Sequence, residues 1–446
     1  MNMKKKGFFT RKRTFSIFLI IFCICGIGIN AHAISLTDAT STIGDLFSSF
    51  VDANEGTSSF RSLLIPFGGR TESLGNAYTG LCDDISYLRY NPAAGSIQKE
   101  TQVALFHNSW IADSKLETLA YTTRFKNIPH LSYGGYVSCF YLPFTEYDLF
   151  GDRVAGNYYT ETVAAVNVSY NLLAGYDFKG LAAGLTVKGG WRDMPDYTDN
   201  DTGAIIQGSG FKQSAFAIMA DAGIMLQFNF LKFYSSRDPN VRIGLSAQNI
   251  GVSLTGFGSE LQQDDPLPTT ISAGISVKLI KPITVSADFV QPLNLFDIGS
   301  YHIPYFNTGV SIQFTSFVSL LAGFSLKGAN PRISTGLEFE VAKIRLNMNY
   351  TLDLTSSLAP LNRISLSAKI LLGDKGRSIT DAQVDDYYKL GLKYYADAKW
   401  EDAILVWQEA LKLNKRFDPA IQGIQSARYQ IEMFQKIKES LMLDQM

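Results

Sequence analysis

Apolar and polar residues alternate along the chain from about residue 100 to residue 372, in one segment of roughly a dozen residues after another. The segment from Ile344 to Leu354 follows this pattern throughout, with Ile, Leu, Met and Tyr set against Arg, Asn, Thr and Asp. A β-strand turns successive side chains to opposite faces, so each segment has one apolar face and one polar face. This pattern, in a chain without an apolar stretch of membrane-helix length, predicts an all-β transmembrane barrel with lipid outside and a polar lumen.

Alternation and turn signals predict fourteen antiparallel strands, an even number as in bacterial single-chain barrels. We place them near 100–109, 115–126, 131–142, 160–172, 179–192, 213–231, 240–249, 268–279, 282–291, 304–315, 317–328, 331–341, 343–354 and 361–372. The connections after strands 3, 5, 7 and 9 are long, and those after strands 8, 10 and 12 are very short. Because the short turns of outer-membrane barrels face the periplasm, both termini are expected there. The connection at 232–239 is an exception, because it is long although it lies on the side where short connections are expected.

The first 33 residues have the three parts of an export signal. Lys4 to Lys6 and Arg11 to Arg13 are basic, Phe15 to Ile29 is apolar, and Ala31-His32-Ala33 fits a cleavage site. A retained anchor and a lipid-modified Cys25 are the alternatives. We therefore predict a signal peptide at 1–33 and the cell outer membrane as the location.

Charge and cysteine content exclude several kinds of site. The formal net charge is −1, which gives no electrostatic case for nucleic acid. The mature chain keeps Cys82 and Cys139, which lack the spacing of a metal site. No metal or other cofactor is predicted, and a disulfide between these two cysteines stays open.

Charged residues within the predicted strands lie on their polar faces. A charge on the lipid face at the membrane midplane would cost about 2–4 kcal/mol. We therefore assign these residues to the lumen, either as structural ion pairs or as the lining of a solute path: Arg242, Lys278, Asp288, Arg345, Asp353 and Lys369.

Residues 34–99, ahead of the first strand, are rich in Gly and other small residues. They include Pro66-Phe67-Gly68-Gly69-Arg70, then Leu74-Gly75-Asn76-Ala77-Tyr78, Asp83-Asp84 and Asn91-Pro92-Ala93. Such a segment packs closely against something, and its position favours the barrel lumen. In order and position these pieces resemble the FadL-type long-chain fatty acid transporters, especially their spirochaetal (treponemal) relatives, and they are also similar to PorV-type barrels.

The resemblance covers about residues 60–373 and implies a 14-stranded barrel plugged by an N-terminal hatch at 34–99. Gly68, Gly69, Arg70, Asn91 and Pro92 would be hatch residues. It also implies that hydrophobic ligands are captured outside and leave through the wall or past the hatch. The loop from 141 to 159 has aromatic and apolar residues that could capture such a ligand, or that could be girdle and loop packing: Phe144, Tyr147, Leu149, Phe150 and Tyr158.

Residues 374–446 are highly charged and predicted to be a periplasmic helical domain following the 100–373 barrel. Their spacing reproduces one tetratricopeptide-like repeat, whose packing residues would be Tyr387, Leu390, Gly391, Tyr394, Ala403, Trp407 and Ala410. Lys415 stands where such repeats usually have Pro. One repeat buries little surface, so it should dock on a periplasmic protein, on a second copy or on the barrel rim.

The sequence features are compatible with three functions. The first is passive uptake of hydrophobic solutes, fatty acids above all, with membrane lipids around the barrel. The second is an outer-membrane scaffold associated with secretion, which recruits periplasmic partners through its helices. The third is a membrane-embedded enzyme, for which His107-Asn108-Ser109 is the one suggestive cluster. Because adjacent residues make no triad, the expectation is that the chain is not an enzyme.

Overall fold

The computed structural model describes residues 51–443, apart from positions 127, 129, 148–149, 174, 176–179, 198, 200–201, 203, 207–208, 235, 237, 259, 301, 329 and 355–362. The predicted signal peptide lies outside these residues. Within them, no helix is both long enough and apolar enough to cross a bilayer.

Fourteen long strands form one antiparallel sheet in which each strand pairs with the next and the last pairs with the first. In chain order they are β1 Gln102–Ser109, β2 Lys115–Arg124, β3 Leu131–Tyr147, β4 Arg153–Asn171, β5 Gly180–Asp193, β6 Ala215–Phe228, β7 Val241–Thr255, β8 Thr269–Ile280, β9 Ile283–Leu293, β10 Tyr305–Gln313, β11 Val318–Lys327, β12 Asn330–Val341, β13 Ile344–Asp353 and β14 Arg363–Leu371. A two-residue strand, Gln262–Gln263, adds to the end of β7. The predicted fourteen-stranded barrel is confirmed.

The two faces of the wall differ as the alternation predicts. On β14, Ser365, Ser367 and Lys369 are buried inside the barrel. On the same strand, the outward residues Ile364 and Ile370 are 51% and 45% exposed. The outer surface is therefore apolar and the inner surface polar, which suits a barrel surrounded by lipid.

The longest strands differ from their predicted bounds. β3 has 17 residues and β4 has 19, and they stay paired from Leu131 with Tyr170 to Tyr147 with Arg153. The predicted capture loop at 141–159 is therefore wrong as a loop, because most of it is a β-hairpin that extends both strands. Phe144 and Tyr147 belong to β3 and Tyr158 to β4, Phe150 lies in the turn, and Leu149 lies outside the described residues.

Residues 60–98, which we call the inner segment, run through the inside of the barrel. They form a helical turn at Arg70–Ser73 and short 3-10 helices at Arg61–Leu64, Ile85–Arg89 and Pro92–Ile97. The last two are capped by Asp84 and Asn91, whose side chains accept hydrogen bonds from backbone N–H groups two residues on. The largest apolar cluster joins this segment to inward residues of the wall, among them Phe67 and Phe106.

Three helices follow the barrel: α1 Arg377–Ala396, α2 Trp400–Leu413 and α3 Asp418–Leu443. Trp407 is 1% exposed, its indole N–H donates to the carbonyl of Tyr388, and it packs against Gly391. Of the predicted packing residues, Gly391, Ala403, Trp407 and Ala410 are buried and Tyr394 is half-buried. The packing predicted for Tyr387 and Leu390 is wrong: both are 39% exposed, because α1 turns Val384, Tyr388 and Gly391 towards the other helices.

The helices contact one end of the barrel, which we call the helix end. Arg377 donates to the carbonyl of Lys99 at 2.6 Å, and Arg416 donates to the carbonyl of Leu172 in the β4–β5 connection at 3.2 Å. The connections after odd-numbered strands lie at the opposite end, which we call the loop end.

The first described residues lie at the loop end. Asp52 contacts His302 in the β9–β10 connection, and Ser59 N–H donates to the carbonyl of Pro266. Both termini were expected at the same end of the barrel. The N-terminus itself lies outside the described residues, but the first described residues enter the barrel at the end opposite to the helices. Strand parity determines the end of the barrel at which β1 starts. It does not determine the path of a segment that runs through the lumen ahead of β1.

Candidate functional site: the barrel lumen

The inner segment divides the lumen into two cavities. The helix-side cavity has a volume of about 490 Å³ and the loop-side cavity about 640 Å³. They have no lining residue in common. A solute entering one cavity therefore meets the inner segment before it can reach the other.

Glycines on the inner face of the wall let the inner segment approach the backbone of the strands. A Cβ atom at Gly323 would lie 2.0 Å from the backbone nitrogen of Gly75, and one at Gly244 would lie 2.1 Å from the carbonyl oxygen of Thr79. Contacts of this kind leave no room for any side chain. Five wall glycines meet backbone atoms of the inner segment in this way: Gly184, Gly244, Gly274, Gly309 and Gly323. On two further strands, Gly223 and Gly336 meet the side chains of Asn91 and Ser73. Together they encircle the inner segment over half of the wall.

The predicted hatch residues lie within this contact zone. A Cβ atom at Gly68 or at Gly69 would lie 2.7 Å or closer to Ser365 and Ser367 respectively, on β14. The side chain of Asn91 donates to the carbonyls of Thr79 and Ile224, and backbone atoms of Pro92 face Gly184.

Buried ion pairs also join the inner segment to the wall. Arg70 contacts Asp83 at 2.6 Å and Glu338 of β12 at 2.9 Å. Asp84 pairs with Lys369 of β14, and both side chains are 0% exposed. Removing one member of such a pair leaves a buried charge without its partner, which is strongly unfavourable.

The charged residues predicted to face the lumen all lie on the inner side of the wall. Asp288 accepts hydrogen bonds from the backbone N–H groups of Tyr78 and Thr79, each at 2.7 Å, and Arg242 donates to the carbonyl of Leu81 at 2.6 Å. Arg345 pairs with Glu340 and Asp353 with Arg332, both within the wall, and Lys278 lines the helix-side cavity. Asp288, Arg242 and Lys369 thus hold the inner segment.

The loop-side cavity combines apolar groups with charged groups of both signs, the acidic ones including Glu55, Glu72 and Glu161. Its apolar lining comes from the inner segment and from β3 and the β1–β2 turn: Phe60, Leu64, Ile65, Trp110, Phe140 and Leu142. The guanidinium of Arg363 lies over the Trp110 ring at 4.2 Å and 3.8 Å from Glu72. Within the described chain, the Nε atoms of Arg192 and Arg363 are buried without a hydrogen-bond partner.

The helix-side cavity differs in having fewer apolar lining residues beside its charged side chains of both signs. They include Arg70, Asp83, Asp238, Arg242, Lys278 and Glu338. Such a lining favours water and ions over an apolar solute. The lumen is therefore asymmetric, with the more apolar of its two cavities at the loop end.

The role of the wall glycines was not predicted from the sequence. They lie on the polar faces of their strands, where alternation counts them as ordinary small residues. A signal was available, because glycine inside a strand often marks the close approach of another backbone. Gly184 pairs with Gly223, Gly244 with Gly274, and Gly309 with Gly323 on neighbouring strands.

Comparison with solved structures finds matches of low similarity. The CymD monoaromatic hydrocarbon channel matches with a TM-score of 0.46 and 12% identity, over 69% of this chain and 97% of that one. The Pseudomonas putida toluene transporter TodX matches with a TM-score of 0.43 and 12% identity, over 68% and 96%. A Pseudomonas aeruginosa FadL homologue matches with a TM-score of 0.42 and 10% identity, over 68% and 98%.

Comparison of sequences gives a clearer result. A UPF0164 protein of Treponema pallidum (strain Nichols) is 28% identical over 391 residues, which cover 86% of this chain and 85% of the relative. A second one is 26% identical over 392 residues, covering 84% and 76%. The model of the uncharacterised protein family UPF0164 matches residues 34–375. The chain belongs to the UPF0164 family.

Proposed function

We propose that the protein is an outer-membrane channel for passive uptake of hydrophobic solutes, with long-chain fatty acids as the preferred class. The loop-side cavity carries the proposal: its volume of about 640 Å³ is within the range of ligand pockets, and it has more apolar lining residues than the helix-side cavity, beside charged groups of both signs. Burial of an acyl chain there would contribute about 0.8 kcal/mol per CH2 group.

The acyl chain and the carboxylate of a fatty acid would contact different residues of this cavity. Its chain would lie along Leu64, Phe140 and Leu142. Its carboxylate would accept a hydrogen bond from Nε of Arg363 or Arg192, which makes no other hydrogen bond although the two guanidinium groups are ion-paired with Glu72 and Asp264. In this proposal the inner segment acts as the hatch, the loop end faces outside, and the C-terminal helices face the periplasm. The export signal predicted at residues 1–33 supports that location.

Uptake of labelled oleate and of labelled sucrose by cells making the full chain tests the proposal. We expect oleate uptake that saturates and little sucrose entry. Leu64→Gln, within the loop-side cavity, should reduce oleate uptake severalfold, whereas Leu413→Gln on the exposed side of α2 should leave it unchanged. Sucrose entry without oleate uptake contradicts the proposed solute class.

A second role rests on the C-terminal helices, which we propose to be a tetratricopeptide-like adaptor for a periplasmic protein. Towards its end α3 exposes apolar residues, with Tyr429 59% and Ile437 53% exposed. Deleting residues 378–446 separates the two roles: the channel predicts unchanged oleate uptake, and the adaptor predicts loss of a copurifying periplasmic protein.

A further inference from the structure

Three polar side chains lie together on the outward face of the wall, near the loop end of β1 and β2. Nδ1 of His107 is 2.7 Å from a carboxylate oxygen of Glu117, and Nε2 of His107 is 3.4 Å from Oγ of Ser109. A carboxylate at Nδ1 keeps the proton on that nitrogen, which leaves Nε2 to accept the proton of the serine. We propose that Ser109, His107 and Glu117 form a serine-hydrolase site for acyl esters of membrane lipids.

The register of the two strands makes this arrangement regular. His107 on β1 stands opposite Glu117 on β2, and Ser109 stands opposite Lys115. Directly opposed residues of neighbouring strands have Cβ atoms about 4.5–5.5 Å apart. The outward face thus brings together a nucleophile, a base, an orienting carboxylate and a cation, and Lys115 is placed to stabilise negative charge on a substrate oxygen beside Ser109.

The depth of the site selects the substrate. One row further from the loop end, the outward residues are apolar: Leu105 is 59%, Leu119 53% and Val137 52% exposed. In the other direction β1 and β2 end at the 110–114 turn. The site therefore lies at the border between the apolar belt and the rim, where the ester groups of lipids lie when their chains contact the belt.

The contacts also argue against a purely structural pair. The side chains of His107 and Glu117 are 37% and 45% exposed, so both stay accessible from outside the barrel although they contact each other. Charged groups on the outward face cost free energy where lipid meets the wall. Nucleophilic catalysis requires a serine hydroxyl at the free nitrogen of the imidazole, whereas an ion pair between His107 and Glu117 needs no serine.

The reaction has two balanced steps. Oγ of Ser109 attacks the ester carbonyl while Nε2 of His107 takes its proton, and the C–O bond to the lipid alcohol breaks as that alcohol receives the proton. Water then attacks the acyl-serine ester, gives a proton through His107 back to Oγ, and releases the fatty acid. Water is the co-reactant, and neither step oxidises or reduces any group.

The test uses the purified full chain in detergent, with micelles containing diacyl phosphatidylcholine or a diacyl glycolipid, and mass spectrometry of the released fatty acid. We expect release from at least one ester lipid and none from the ether-linked analogue. Ser109→Ala should reduce release at least about 100-fold. Thr335→Ala, an outward hydroxyl on β12, is the matched control and should retain it. Absence of release from both ester lipids, or equal release by Ser109→Ala, overturns the proposal.

A second measurement tests the activated serine and the positioning role of Glu117. Hexadecylsulfonyl fluoride should add to Ser109 in the full chain, and mass spectrometry of its peptides would locate the adduct. With Glu117→Gln, labelling should slow because the carboxylate that holds the proton on Nδ1 of His107 is lost, and Glu117→Asp should recover part of the rate. Labelling spread over other serines, or an equal labelling rate in Glu117→Gln, contradicts the assignment. Oleate uptake by Ser109→Ala should be unchanged, so failure here is distinct from failure of the channel.

Discussion

Replacing Gly323 by Ala tests how tightly the inner segment is held against the wall. The new Cβ would lie 2.0 Å from the backbone nitrogen of Gly75 and 2.3 Å from the carbonyl carbon of Leu74. Since atoms of these kinds normally stay about 3.5 Å apart, the two backbones would have to separate by about 1 Å or more. Neither is a flexible side chain end that could turn aside. Overpacking of this kind costs about 1–3 kcal/mol.

The assay is thermal unfolding of the purified barrel in detergent, followed by the mobility of the folded form on gels. A loss of about 2 kcal/mol raises the unfolded-to-folded ratio up to about 30-fold, so the midpoint should fall by several degrees. Gly189→Ala on β5 is the matched control, because a Cβ there meets no atom within 4 Å. Equal stability of Gly323→Ala and Gly189→Ala would refute the claim that the inner segment packs directly on the wall.

Three further results are expected. Lys369→Met should cost about 3–5 kcal/mol by leaving Asp84 buried without its partner, and Asp84→Asn added to it should restore part of the loss in the same unfolding assay. Burial and the nearby Arg416 and Arg124 lower the pKa of His130 to about 4. Undocking the helices removes Arg416 from His130, so the undocked form binds more protons within the window between about pH 6.5 and pH 4. Docking, read by limited proteolysis, should therefore weaken as pH falls through that window, and less so in His130→Gln. Arg416→Ala should loosen the same contact at every pH.

Most of the barrel could be predicted because lipid outside and a polar lumen impose a two-residue period on every strand. Ile364, Ser365 and Leu366 show that period directly in their exposure. It fails at the far ends of β3 and β4, where the paired strands run on through Pro143, Thr145 and Gly156, which do not alternate in this way. Backbone pairing there continues without the pattern that an apolar environment would select.

The contents of the lumen were harder to predict. Composition placed a compact segment ahead of β1, but its path from the loop end to the helix end depends on contacts such as Asp52 with His302 and Lys99 with Asp238, far apart in sequence. The pairing of Glu117 with His107 was equally hidden, because it follows from the register set by the 110–114 turn. In α1 the repeat spacing identified Gly391, while the rotation of the helix decided against Tyr387 and Leu390.

Hydrogen–deuterium exchange of the full chain in detergent tests most directly whether the inner segment fills the lumen. The N–H groups of Tyr78 and Thr79 donate to buried Asp288, and the segment around them is enclosed by the wall. We expect peptides from residues 70–97 to exchange as slowly as those from β8 and β9. Exchange of these peptides as fast as that of the exposed 294–300 connection would contradict the account.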